Sequence, residues 1–333
     1  NSKKVIIFIT EAGEKKGLGH LTRTSIILKN LKNVEKKYLI INNEIKNNKI
    51  IHKLDSTNLF YKLKIDIYKI IKLINQKNSI IVVDMFFASE KLIKFLKKFS
   101  TKLIVFDDLK RNYNTRCIYI RSQEIFFKKI INKNKSIFFE GSSFFILNDE
   151  LLNIRKKYKV IQPIKKIFFC IGGITPKEKI IKSLKFFDKN LSNKIINVFI
   201  GQTKLKKFKS NSNIFNFYTF EDNIKKILKD SDMGIISAGF IKFELMLIGI
   251  PFLLVSLNNH QHLMSKRFSY KKDINYLGNV DKLNMNYISN NKKISNFINK
   301  ISLRNKISIN NKVLIDGKGL KRFNKILFDK FIL

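Results

Sequence analysis

Short apolar runs alternate with amphipathic stretches along the chain, and the alternation predicts its elements. In the first half, runs at Val5–Thr10, Tyr38–Ile41, Ile80–Asp84, Leu103–Phe106 and Ile118–Ile120 read as strands. The run from Val5 is followed by apolar positions at Leu21, Ile26, Ile27, Leu28 and Leu31, which read as a helix, and Glu90–Phe99 reads as another. Near-continuous apolar strands separated by helices point to a parallel sheet covered on both faces. A polar stretch at Arg155–Lys166, containing Pro163, reads as a linker. The pattern then restarts at Ile167–Ile171, Ile196–Ile200, Ile214–Phe217, Met233–Ile236 and Phe252–Val255. Asp281–Asn311 reads as short helices with loops, and Leu320–Leu333 as a helix. The expected fold class is α/β, with two Rossmann-like domains facing across a cleft. The first covers 1–158, the second 164–315, and a helix in 316–333 packs back on the first. Sheets of this kind bind ligands beyond the carboxyl ends of their strands. The loops to inspect therefore follow Thr10, Asp84, Phe106, Ile171 and Ile236.

Composition changes the picture little. At 333 residues and 44% hydrophobic content the chain suits two cored domains. No apolar run approaches a membrane span, so no stable membrane insertion is expected. No signal-peptide pattern is visible, and the expected location is cytoplasmic. Cys117 and Cys170 are neither a disulfide framework nor metal-spaced, and Cys170 reads as a small buried hydrophobe. The formal charge of +41 comes from 66 basic against 25 acidic residues. The excess is mostly lysine, mixed with asparagine and isoleucine and spread over polar helix faces, so no specific nucleic-acid partner is expected. A general attraction for anionic substrates or surfaces remains.

The candidate chemistry sits in the loops. Gly17-Leu18-Gly19-His20-Leu21-Thr22-Arg23 joins the first strand to the first helix. Such a turn brings backbone N–H groups and a helix N-terminus to an anion, and His20 places a proton-exchanging ring beside it. Gly172-Gly173 follows the first strand of the second domain and offers the same close approach. Ser237-Ala238-Gly239 opens a helix suited to phosphate, with Glu244 in apolar surroundings able to hold ribose hydroxyls. Gly249-Ile250-Pro251 reads as a helix end. In Asn258-Asn259-His260-Gln261-His262 the amides suit a sugar or base, and the histidine spacing does not suit a metal. Asp84 and the pair Asp107-Asp108 end strands of the first domain. Adjacent carboxylates point apart, so one orients a base or caps a helix and another is structural.

Taken in order, these segments resemble the nucleotide-sugar hydrolase of pseudaminic acid biosynthesis, a relative of the GT-B glycosyltransferases. The likeness runs through Gly17-Leu18-Gly19-His20 with Arg23, Asp84, Phe106-Asp107-Asp108-Leu109 and Glu140–Leu147. It continues through Ile171-Gly172-Gly173, Ser237-Ala238-Gly239 with Glu244, Gly249-Ile250-Pro251 and Gln261, ending at Asp316-Gly317-Lys318-Gly319 with Arg322. The resemblance implies a GT-B architecture, UDP held mainly by the second domain, and metal-free, cofactor-free hydrolysis at the anomeric carbon of a UDP-2,4-diacetamido-2,4,6-trideoxyhexose. In that reading His20 handles the proton. Gly17, Gly19, Arg23, Asp84, Gly172, Gly173, Ser237, Ala238, Gly239, Glu244, His260 and Gln261 bind the UDP-sugar. Other enzymes of the same sugar pathway are the candidate partners. The alternatives are a glycosyltransferase of the same fold with a sugar or lipid acceptor, and an inactive nucleotide-sugar-binding protein. The chain departs from the family at Phe240-Ile241-Lys242, where small hydroxyl residues are usual and Lys242 would supply charge instead. It departs also at Met85-Phe86, which stand near a usual tyrosine, and at His260, which replaces an asparagine.

Overall fold

The computed structural model describes residues 5–13, 17–31, 34, 36–43, 58–62, 69, 79–86, 88–100, 102–109, 111, 113–122, 135–272 and 276–331. The chain divides into two compact units, Asn1–Asn148 with Gly317–Leu333, and Asp149–Asp316.

The first unit is built on a seven-stranded sheet, β1 (Val5–Ala12), β2 (Lys36–Asn43), β3 (Asn58–Lys62), β4 (Ile80–Asp84), β5 (Lys102–Phe106), β6 (Ile118–Arg121) and β7 (Ile137–Glu140). Their order is β3-β2-β1-β4-β5-β6-β7, and the described ladders are parallel. β1 and β4 are buried along their whole length, as strands covered on both faces must be. Helix α1 (Gly19–Asn30) follows β1, and α2 (Glu90–Phe99) follows β4. Local chemistry sets the ends of α2. Ser89 Oγ accepts the Leu92 N–H at 3.2 Å, Glu90 sits in the positive first turn, and Lys97 and Lys98 sit in the last. Leu92, Ile93 and Leu96 form its buried stripe.

The second unit begins with α3 (Leu151–Lys157). Its six-stranded sheet comprises β8 (Lys166–Cys170), β9 (Ile195–Gly201), β10 (Ile214–Thr219), β11 (Met233–Ser237), β12 (Phe252–Ser256) and β13 (Tyr276–Asn279). The order is β10-β9-β8-β11-β12-β13, again with parallel ladders. Helices α4 (Lys177–Asn190), α5 (Ile224–Lys229), α6 (Ile241–Ile248) and α7 (Asn259–Lys272) cross between its strands. A 3-10 turn at Val280–Asn286 leads into α8 (Tyr287–Asn299) and α9 (Ile301–Leu314). Helix α10 (Gly319–Phe331) belongs to the first unit. Phe323 on α10 stacks on Phe106, and Arg322 donates to the Ser143 carbonyl at 2.7 Å. A Cβ at Gly319 would lie 2.2 Å from the Phe145 carbonyl oxygen, so only a glycine lets α10 start this close to the strand-end loop.

Two differences separate the structure from the sequence pattern. β3, β7 and β13 lie at sheet edges, where a strand has one neighbour and needs no continuous apolar run. The stretch expected as a linker is not free chain. Residues up to Lys157 belong to α3, and Arg155 donates to the carbonyls of Leu247, Lys312 and Ile315 at 2.7–3.0 Å. Those bonds satisfy helix-end carbonyls of α6 and α9 and tie the segment into the second unit.

Candidate functional site

Each sheet has a point where strand order reverses direction, and the candidate residues gather at both. In the first sheet the reversal lies between β1 and β4. The chain leaves β1 through Gly13 and Gly17, which bond to each other at 2.7 Å and 3.2 Å, with Gly17 at φ 75°. It enters α1 at Gly19, placing His20 and Arg23 in the first turns. Asp84 is the last residue of β4 and lies in register with Thr10 of β1.

Four charged or titratable side chains interlock there. His20 Nδ1 is 2.7 Å from Asp84 Oδ1. Arg23 Nε donates to Asp84 Oδ2 at 2.8 Å, and its Nη2 donates to Asp84 Oδ1 at 2.5 Å and Asp108 Oδ2 at 2.9 Å. Thr24 Oγ1 and Ser122 Oγ lie at 3.5 Å and 3.4 Å from the same carboxylate and guanidinium. Beneath them the guanidinium carbon lies 4.4 Å from the centre of the Phe106 ring. Arg23 is 2% exposed and Asp84 fully buried. Burial disfavours the Asp84 charge, but Arg23, and then His20, override it and hold the carboxyl down at about 2. For Arg23 burial likewise opposes the charge, yet Asp108 and Asp84 raise its pKa. Asp84 is therefore an anion at neutral pH. It accepts from His20 Nδ1–H, which fixes the tautomer and leaves Nε2 as the basic nitrogen. Phe86 stands edge-on to the imidazole at 6.5 Å.

Asp107 and Asp108 serve different partners. Asp107 turns away to accept from Arg121 Nε and the Arg111 backbone N–H, both at 3.0 Å. Burial nevertheless raises its pKa. The sequence leaves open which of Asp107 and Asp108 orients a base and gives no role to Ser122; both Asp108 and Ser122 meet Arg23, 85 and 99 positions away in the chain.

In the second sheet the reversal lies between β8 and β11. Gly172 follows β8 at φ 131°, and the Gly173 carbonyl accepts the Gln202 N–H at 3.0 Å. Gly201, at the end of β9, makes this possible. A Cβ there would lie 2.1 Å from the Gly173 oxygen. Ser237 ends β11 buried, and Ala238 and Gly239 lead to α6, whose first turn carries Glu244. Burial pushes the Glu244 carboxyl up to about 7, with Lys225 pulling it back. Lys242 departs from the expected electrostatic replacement. It is 1% exposed, and its ammonium lies 4.4 Å from the centres of both the Phe243 and Phe268 rings. Burial lowers its pKa to about 7. Gln261 turns its amide oxygen back to accept the Leu257 N–H at 2.9 Å. The His260 side chain lies outside the described residues. His262 Nδ1 meets the Tyr276 hydroxyl at 2.6 Å, and that hydroxyl meets Ser256 Oγ at 2.7 Å. No cluster of metal-binding side chains occurs among the described residues, and no described helix is long and apolar enough to cross a membrane.

Comparison with known proteins places this geometry in a fold. No family model matches the chain. It is 26% identical over 279 residues to the uncharacterized protein MJ1062 of Methanocaldococcus jannaschii, covering 77% of this chain and 56% of that protein. It is 21% identical over 272 residues to the spore coat polysaccharide biosynthesis protein SpsG of Bacillus subtilis, covering 78% and 79%. The chain thus spans little more than half the length of MJ1062. MurG of Acinetobacter baumannii superposes with a TM-score of 0.64 at 10% identity, over 98% of this chain and all of that one. MnaA of S. aureus, solved with UDP, gives 0.62 at 11% identity, over 99% and 98%. The fold is GT-B. At these identities the likeness speaks for the fold, and the chemistry rests on the side chains above.

Proposed function

We propose that the protein transfers a sugar from a UDP-sugar donor to a hydroxyl acceptor, with His20 as general base. The observation that carries this is the His20–Asp84 pair. An imidazole is held by an ionised carboxylate at the first turn of α1, beside the strand-order reversal, and Nε2 has no hydrogen-bond partner among the described residues. In this reading Nε2 takes the acceptor's proton as the acceptor oxygen bonds to the anomeric carbon. The carbon–oxygen bond to UDP breaks, and the electron pair leaves on the β-phosphate oxygen. Asp84 stabilises the imidazolium that forms, and Arg23 holds Asp84 in place. The second unit holds the nucleotide through backbone N–H groups at Gly172-Gly173 and at the start of α6, where the helix dipole favours the departing diphosphate. Glu244 and Gln261 serve the ribose and base. The solved MnaA–UDP structure and the polysaccharide role printed for SpsG support a nucleotide-sugar substrate.

A second reading uses water as acceptor and makes the protein a UDP-sugar hydrolase. The ordered motif series from Gly17 to Arg322 favours it. The two readings part on one assay, UDP release from UDP-N-acetylglucosamine and from the UDP-2,4-diacetamido-trideoxyhexose, with and without hydroxyl acceptors. Release that depends on acceptor supports transfer, and release of free sugar without acceptor supports hydrolysis. His20→Ala should lower turnover by roughly two to four orders of magnitude while leaving UDP affinity nearly unchanged. Equal loss of both would reduce His20 to a loop-shaping residue.

A further inference from the structure

The turn between β13 and α8 carries apolar side chains that stand largely bare. Met285 is 78% exposed and Ile288 84% exposed, adjacent in the chain to Tyr287 at 41%. Burying such side chains is ordinarily what builds a core, and Met285 and Ile288 are the barest large apolar side chains among the described residues. Their surroundings are cationic. Three residues per turn in the 3-10 segment stack Lys282 on the same face as Met285. Ile288 and Lys292 are four apart on α8 and share a face. The Tyr287 ring meets Phe186 of α4 edge-on at 6.3 Å, and Lys182 and Lys189 flank Phe186 along that helix. The acid at this turn, Asp281, is already engaged by Lys179 at 3.2 Å and Lys182 at 3.8 Å.

We propose that this turn is a docking surface for an anionic lipid bilayer. Met285 and Ile288 would enter the interface, and the surrounding lysines would lie at the phosphate level. Two weak signals, apolar insertion and basic attraction, together give reversible membrane attachment where either alone does not. A second copy of this chain is a poor occupant, because it carries the same +41 charge. Single-stranded nucleic acid is disfavoured because the two barest side chains, Met285 and Ile288, have no aromatic ring on which a base could stack.

Sedimentation with extruded vesicles tests the proposal. The full chain should bind vesicles containing about one-third phosphatidylglycerol in phosphatidylcholine, bind pure phosphatidylcholine far less, and be released by about 0.5 M salt. The double variant Met285→Ser/Ile288→Ser should lose about tenfold or more of the anionic-vesicle affinity, the scale of two apolar side chains withdrawn from lipid. Ile288→Lys, which adds charge while removing the apolar tip, should also weaken binding. A control pair on α9, Ile309→Ser/Val313→Ser, also exposed, at 62% and 77%, should leave binding unchanged. Equal binding by the double variant and wild type would overturn the proposal and assign attraction to overall charge. So would stronger binding by Ile288→Lys, or a loss confined to poly(U) binding with vesicle binding intact. All four proteins should share one thermal transition, since the changed side chains make few contacts.

Discussion

The two strand-order reversals are built alike and work with opposite materials. At β1 and β4 the first unit buries a carboxylate, a guanidinium and an imidazole edge, each hydrogen-bonded to a named partner. At β8 and β11 the second unit presents glycine backbone, a buried serine and a helix start. Its two ionisable groups, Glu244 and Lys242, are driven toward their neutral forms. The same desolvation acts in both places. At Asp84 the charges of Arg23 and His20 outweigh it, and at Lys242 and Glu244 it prevails. A base that must be positioned and reset needs the first environment. A site that receives a diphosphate gains by carrying little fixed negative charge of its own.

Breaking the first network should have the largest effect. Asp84→Asn leaves Arg23 buried with half its compensation, and should cost about 3–5 kcal/mol in denaturant unfolding at pH 7. Because the folded-state pKa of Asp84 is depressed, its contribution is complete above its unfolded value of 3.8 and is lost as pH falls toward about 2. A cost below about 1 kcal/mol would show the pairs to be solvated and the comparison empty.

The second region should respond with opposite sign. Lys242 is a base whose folded pKa, about 7, lies below its unfolded 10.5, so the folded state carries a penalty below pH 7 that fades as pH rises to 10.5. Lys242→Met should therefore stabilise the protein at pH 6 by on the order of 1–3 kcal/mol, with the gain vanishing near pH 10.5. Destabilisation at pH 6 would mean that an anion in the fold pairs with the ammonium.

The smallest effect belongs to Glu244. Its folded pKa is raised from 4.5 to about 7, so ionisation costs stability increasingly between those values and fully above the upper one. Glu244→Gln should match wild type at pH 4 and exceed it at pH 7.5 by on the order of 1 kcal/mol, read from parallel urea titrations. A flat difference across that range would place the carboxylate in water.

Legibility followed burial. The central strands and α2 were readable because a strand covered on both faces must be apolar throughout and a surface helix must carry a stripe. Among the edge strands, β10 was readable from its apolar run at Ile214–Phe217, while β3, β7 and β13 were not. The end of α3, from Arg155, looked like the start of a linker because Arg155 ties it down through carbonyl hydrogen bonds, which leave no hydrophobic trace.

By itself the sequence determined two α/β units, the glycine turns at strand ends, and the residue types able to move a proton or hold an anion. Those properties are written in local spacing and side-chain chemistry. Tertiary structure decided the partnerships. It sent Asp108 to Arg23 and Asp107 to Arg121, made Gly201 the floor beneath Gly173, and enclosed Lys242 between two rings. Each joins positions whose distance is set by strand order and packing, and a hydrogen bond or a desolvated charge exists only once that packing has formed.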